Sequence, residues 1–304
     1  MFSGARVDRL GPAAMFAAHS PTLDKDMYRP GRRCFRNMVN KKESNIGRIR
    51  EHFLRELEQV GYAGVLGVAS FGTVHRELMP VQGRRLEELC GDQFQVYMER
   101  GSVICIGLAY PGHVIGCIGA ESGGVPDKNT WNVYARAYRE MNGVLNMISM
   151  KIADRFGGVA VPATIGGLTK KVENVNEYDE MTISHRVVAE NAGLGWRGRN
   201  ELIINQEYGC ALRFASVIMS LPLPCSEKLP FMCGGCEACL EVCSFLKNKR
   251  MLRDYRENCR RFINALGLEE EVCGKCILAC LRQSIFKDQF RLPSSTDRQG
   301  VGLH

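Results

Sequence analysis

The sequence predicts an α+β protein: a body of mixed helices and strands over residues 44–224, then a small cysteine-rich domain over residues 225–288. Two observations predict it. Up to residue 219, stretches with apolar residues at the 3.6-residue helical period alternate with short, nearly continuous apolar runs of strand length. Beyond them, eight of the 14 cysteines crowd between Cys233 and Cys280, at spacings that suit a metal centre. A length of 304 residues accommodates one large domain and one small one.

The elements follow in order. Residues 1–43 are rich in Arg, Pro and Gly and are expected to form a surface arm. Its Arg29, Arg32, Arg33 and Arg36 are placed to meet an anion, although a solvated tail is the commoner meaning. Ser44 is expected to cap a helix through Ile46, Ile49, Phe53, Leu57 and Val60, which Gly61 ends. Residues 63–70 read as a buried strand and Leu86 to Cys90 as a short helical piece. Residues 103–108 read as a second strand, with 114–118 as its continuation past Tyr110-Pro111-Gly112. A long interior helix is expected over 129–156, from the spacing of Val133, Ala137, Met141, Val144, Leu145, Ile148 and Ile152.

A short strand at 159–161 leads to a loop with Gly166-Gly167 and Lys170-Lys171. A helix then starts at Thr182 or Ser184, runs through Val187, Val188 and Asn191, and stops at Gly193-Leu194-Gly195-Trp196-Arg197-Gly198. Glycines this close allow near backbone approach to a bulky flat ligand or to another element. They do not form a phosphate loop, since they follow a helix and lack the Gly-Lys-Ser/Thr ending. Strands at 202–204 and 212–219 complete the body, and a polar tail occupies 289–304.

The cysteines carry the chemistry. Cys233, Cys236, Cys239 and Cys243 stand at C-x2-C-x2-C-x3-C, the spacing of bacterial ferredoxins that bind cubane iron–sulfur clusters. Three of these thiolates wrap one cluster and the fourth reaches a second. Cys259, Cys273, Cys276 and Cys280 bring the total to eight, the number two 4Fe–4S clusters require. Chain reversal assigns Cys233, Cys236, Cys239 and Cys280 to one cluster, and Cys243, Cys259, Cys273 and Cys276 to the other. Structural zinc takes paired C-x2-C arms, and a disulfide framework needs a secreted chain. Ser244 and Leu281 stand where ferredoxins place a proline that is not a ligand. Cys34, Cys90, Cys105, Cys117, Cys210 and Cys225 remain, mostly in apolar runs, and read as buried thiols.

Composition restricts the rest. Lys and Arg exceed Asp and Glu by 40 − 33, a net charge of +7 that permits an anionic partner without selecting one. No apolar run approaches the ~20 residues of a membrane span. The N-terminus shows no secretory signal, so a cytoplasmic location is expected.

From Ser184 to Asn200, through the strands at 202–204 and 212–219 and the eight-cysteine pattern, the chain resembles the epoxyqueuosine reductases. Tyr134-Ala135-Arg136-Ala137-Tyr138 resembles a further stretch of that family less closely, without its Asp-Tyr-His ending. The resemblance covers about residues 45–285. It implies a nitroreductase-like α/β domain that holds cobalamin without its lower base, beside a bacterial ferredoxin-like double-cluster domain. Respiratory reductive dehalogenases are similar in plan. Electrons from a low-potential donor such as a ferredoxin or flavodoxin would pass through both clusters to cobalt. The family's further helical-repeat domain, which helps hold tRNA, is not expected here, so a small-molecule substrate stands beside RNA.

Counting back from Arg186, the family's proton donor falls on Asp179, a buried carboxyl that would protonate a departing oxygen. A turn or helix-cap role is the bland alternative. Tyr178 is its neighbour, and in an extended piece only one of the two would face the cofactor. Tyr134, Arg136, Arg186, Gly193, Leu194 and Gly195 are the implied cobalamin contacts. His185 reads as a second acid, a substrate contact or an ordinary surface-helix histidine. Two other functions compete with a reductase. One is an electron-transfer protein without its own cobalamin chemistry. The other is RNA binding through Lys247, Lys249, Arg250, Arg253, Arg256, Arg260 and Arg261.

Overall fold

The computed structural model describes residues 36–122, 125–163 and 172–283. Most of the expected arm, the loop with Gly166-Gly167 and Lys170-Lys171, and the tail lie outside the described residues. The strands are β1 (Gly64–Ser70), β2 (Ser102–Ala109), β3 (Glu121–Ser122), β4 (Val125–Pro126), β5 (Gly158–Val161), β6 (Trp196–Arg197), β7 (Ile203–Ile204) and β8 (Leu212–Met219). Four of them make an antiparallel sheet in the order β1-β2-β8-β5; β3–β4 and β6–β7 are two-residue pairs. β2 is buried along its whole length because neighbours flank it and helices cover both its faces. A strand in that position reads as a continuous apolar run, which is how it is legible in the sequence.

The helices are α1 (Arg36–Val60), α2 (Phe71–Glu77), α3 (Pro80–Cys90), α4 (Phe94–Arg100), α5 (Gly112–Gly116), α6 (Lys128–Phe156), α7 (Val175–Met181), α8 (His185–Asn191), α9 (Ala238–Glu241), α10 (Ser244–Lys247), α11 (Tyr255–Leu266) and α12 (Lys275–Gln283). One sheet face, with Ile104, Ile106, Leu108, Val217 and Met219, packs on α6 and α1. The other, with Val103, Cys105, Phe214 and Ile218, packs on α2, α3, α4 and α8. Along α6 the buried side chains Trp131, Tyr134, Met141, Leu145, Ile148 and Ile152 keep the helical period. Burying each such side chain is worth roughly 1.5–3 kcal/mol. Asp127 caps the helix by accepting from the Asn129 N–H, and Gly157 closes it with a left-handed φ of 74°.

Two local expectations are corrected. Ser44 lies inside α1, which begins at Arg36, so it is not a cap. Residues Gly112–Gly116 are helical, because Pro111 turns the chain out of the sheet and Val114 and Ile115 bury in the core as one helical turn.

The cysteine-rich segment is short helices and turns. Val272, Ile277, Leu278 and Leu281 belong to the same hydrophobic cluster as α6 and β2, so the segment is fixed to the body by a shared core. Among the described residues, no helix is long and apolar enough to cross a membrane.

Candidate functional site

The two fours expected from the sequence lie near one another in the cysteine segment, and among the described residues no three of their side chains converge to hold a single metal ion. Cys233 and Cys236 sit in a turn closed by the Cys236 N–H to the Cys233 carbonyl at 3.0 Å. Cys239 rides on α9 and Cys280 on α12. Burial pushes the Cys239 thiol up to about 11, and nearby Cys280, Cys233 and Cys236 add to it. Cys243 precedes α10, Cys259 lies on α11, and Cys273 and Cys276 flank the start of α12. Burial also pushes Cys259 up to about 11, reinforced by Cys273 and Cys243. Cys276 is raised by burial and by Cys273, Cys243 and Cys259, with Cys239 of the first group also in range. Thiols crowded in this way stay protonated until a metal replaces the protons.

The segment after the glycine turn anchors this arrangement. Trp196 donates its indole N–H to Cys233 Sγ at 3.4 Å, and Arg199 donates to the Gly234 carbonyl at 2.8 Å. Lys249 pairs with Glu201. Buried Cys210 lies against Cys280, and its Sγ accepts from Asn200 at 3.5 Å.

A cavity of about 630 Å³ opens between the body and the cysteine segment. Cys243, Cys259, Cys273 and Cys276, the whole second group, form one wall. Tyr110, Tyr134, Tyr138, Tyr178, Asp179, Arg186 and Arg213 line it elsewhere. Cavities of roughly 300–1,000 Å³ are typical of ligand sites.

Asp179 does face this cavity, but from helix α7 rather than from an extended piece or a turn. Its carboxylate is held by both arms of Arg256, at 2.8 and 3.0 Å. The isolated buried carboxyl expected from the sequence is therefore an ion pair that ties α7 to α11. Arg186 is half-buried and donates to the Glu201 carbonyl at 2.8 Å. Tyr134 packs on Tyr110 with ring centroids 5.2 Å apart.

His185 is buried, not on a helix surface. Nε2 lies 2.8 Å from the Pro162 carbonyl, which can only accept, so Nε2 carries the proton and Nδ1 accepts from Ser216 Oγ at 2.9 Å. Burial lowers its pKa to about 4. An unfolded chain takes the proton near pH 6.5, before the folded one does. Stability is therefore fully present above about pH 6.5 and is lost toward pH 4. Urea unfolding should show a loss of about 1 kcal/mol between pH 6.5 and 5.5 from this residue. His185→Gln should flatten that part of the slope; an unchanged slope would assign it to other groups.

The remaining expectations fall away from the cavity. Arg136 is exposed and pairs with Glu269 at 3.2 Å. Gly193, Leu194 and Gly195 do not line it. A Cβ on Gly193 would stand 2.6 Å from the Glu227 carbonyl oxygen, and one on Gly195 2.3 Å from that of Ile204. The tight approach these glycines allow is to the protein's own backbone. In the basic stretch, Lys249, Arg256, Arg260 and Arg261 are committed to Glu201, Asp179 and Glu257. Cys210 is the buried thiol that the sequence led one to expect; sequence reasoning missed the roles of Trp196 and Arg213. An indole N–H beside glycines, ahead of a cysteine motif, was the one signal that pointed to the first of them.

The chain is similar to several known proteins. The chain is 25% identical to epoxyqueuosine reductase of Listeria monocytogenes over 226 residues, 68% of this chain and 54% of that protein. It is 36% identical to the Salmonella typhimurium epoxyqueuosine reductase over 93 residues, 31% of this chain and 23% of that one. The chain thus spans about half the length, or less, of these curated relatives. A selenomethionine-labelled epoxyqueuosine reductase crystal structure matches 77% of this chain and 65% of its own, with 18% identity and a TM-score of 0.43. No family model matches.

Proposed function

This chain resembles the epoxyqueuosine reductases, and from that premise we propose an iron–sulfur reductase with a nitroreductase-like body and a ferredoxin-like segment. One 4Fe–4S cluster would be held by Cys233, Cys236, Cys239 and Cys280, and a second by Cys243, Cys259, Cys273 and Cys276. The observation that carries this reading is the cavity wall. All four cysteines of the second group are among the residues that line the cavity, and none of the first group is. That order supports electrons entering at the first group and leaving from the second into a ligand. What supports the clusters is the chemistry of the donor set, eight free and mostly half-buried cysteines at ferredoxin-type spacing, while among the described residues no three of them converge as they stand to hold a metal ion.

Bound there, the clusters would supply single electrons at low potential. The chain's own residues do the rest. Trp196 aims an N–H at Cys233, and hydrogen bonds to cluster sulfurs raise the potential. Trp196→Phe should lower the first cluster's potential by about 40 mV, one hydrogen bond of about 1 kcal/mol on a one-electron couple. An EPR-monitored redox titration reads this, and an unmoved potential would remove Trp196 from the electron path. The Asp179–Arg256 pair holds α7 and α11 together at the cavity. Neutral His185, with both ring nitrogens engaged, is not a proton source at pH 7.

The resemblance also implies cobalamin. Tyr134, Arg186 and Asp179 remain at the cavity for such a ligand. The Gly193-Leu194-Gly195 turn does not fit a corrin contact, because protein backbone already occupies the space its missing side chains leave. No step is derived through that group. Adding Co(II) cobalamin to the cluster-loaded protein and recording EPR tests the point. A base-off signal would establish a corrinoid site. A spectrum of unbound cobalamin would leave direct reduction from the second cluster.

The relatives' names make an epoxyqueuosine-bearing tRNA stem loop the first substrate to try. Dithionite-reduced protein, stripped of excess reductant, is mixed with it. Cluster reoxidation with formation of the reduced base supports a reductase acting on that substrate. Clusters that stay reduced with this substrate, yet discharge to a protein acceptor, would favour the electron-transfer reading.

A further inference from the structure

Arg213, near the start of β8, reaches into the cavity opposite the second cysteine group. Its Nε and one Nη donate to the single Oδ1 of Asn142, at 3.2 and 2.8 Å. Its guanidinium carbon stands 4.0 Å from the centroid of the Tyr138 ring. A guanidinium has five N–H donors, so most of the fork is left for another acceptor. Among the described residues no carboxylate pairs with it. Of the carboxylates that share the cavity, Asp179 is held by Arg256, Glu201 by Lys249, and Glu271 is exposed at the rim. Beside Arg213, the Tyr110 hydroxyl is buried, with the Tyr134 hydroxyl as a neighbour and no well-formed hydrogen bond among the described residues.

A guanidinium does not lose its charge in proteins, and a half-buried one such as Arg213 is stabilised by an acceptor that replaces the water it has lost. A neutral amide and an aromatic face supply only part of that replacement. A carboxylate or phosphate supplies the rest, accepting from two guanidinium N–H groups in parallel and from a hydroxyl. We infer that the cavity takes a small planar anion, whose carboxylate or phosphate docks on Arg213 and Tyr110 and whose flat body lies against Tyr138 and Tyr134. This deepens the reading of the cavity as the substrate site, on which it rests.

The test is anaerobic calorimetry on the cluster-loaded full chain, with iron counted on the same samples. Benzoate is the charged probe and benzamide its neutral match. Benzoate should bind at least about tenfold more tightly than benzamide, a difference of about 1.4 kcal/mol. Arg213→Gln should abolish that preference, and Tyr110→Phe should weaken benzoate alone. Equal binding of the two probes to the parent protein overturns the proposal with no variant needed. A preference that survives in Arg213→Gln also overturns it. Inorganic phosphate as competitor identifies the source: displacement of benzoate points to a phosphate-bearing ligand, and no displacement to a carboxylate. A benzoate preference in protein that will not load iron would sink the redox reading while leaving the anion site.

Discussion

Replacing Cys259 by serine is expected to halve the metal content, from about eight to about four iron atoms per chain, and to erase one of two reduced-cluster EPR signals. This cysteine stands alone in the sequence, outside either spaced run. Its place on α11 brings it to Cys273 and Cys243, in the group that lines the cavity. Four thiolates hold a cubane of this type, and a hydroxyl is a poor substitute for one of them. The first group, on α9, α12 and the turn before them, should load as before. Cys210→Ser is the matched control. Its thiol touches Cys280 but belongs to neither group of four, so iron should stay near eight. Full iron in Cys259→Ser, with loss in Cys210→Ser, would exchange their roles.

Gly195→Ala should destabilise the fold by about 1–3 kcal/mol, the usual cost of forcing extra volume into a packed site. The new methyl would stand 2.3 Å from the Ile204 carbonyl oxygen and 2.8 Å from Ile203 Cγ2. Relief requires parting β6 from β7, where Trp196 pairs with Ile204. Trp196 carries the N–H that meets Cys233, so the strain passes to the first cysteine group. Urea unfolding of parent and variant measures it. Unchanged stability together with loss of cobalamin binding would restore Gly195 as a corrin contact.

What was legible in the sequence had local causes. α6 shows in the period of its apolar residues, β2 as a nearly continuous apolar run and β8 as one interrupted by Arg213 and Ser216, because both faces of the sheet are covered. The cysteines stand out in the sequence because the first three are closely and evenly spaced, and the assignment of all eight to two clusters rests on that spacing and on counting to eight. What was not legible depends on distant partners. The His185 ring is satisfied by Ser216 and Pro162, 31 and 23 residues away, and nothing near it in sequence distinguishes that from a surface helix. Asp179 meets Arg256 77 residues on, which turned an expected isolated acid into an ion pair. The apolar run after Pro111 looks like strand, and a run this short does not separate a strand from a buried helical turn. The glycines after α8 carry one signature for two situations, a bulky ligand or neighbouring chain, and here Gly195 meets β7 while Gly193 meets Ser226 and Glu227.

The most direct test of the account is the iron and acid-labile sulfide content of the anaerobically reconstituted chain, read together with EPR of the reduced protein. The account predicts about eight of each per chain and two interacting reduced-cluster signals. About four of each, or stoichiometric zinc with no such signals, would contradict it.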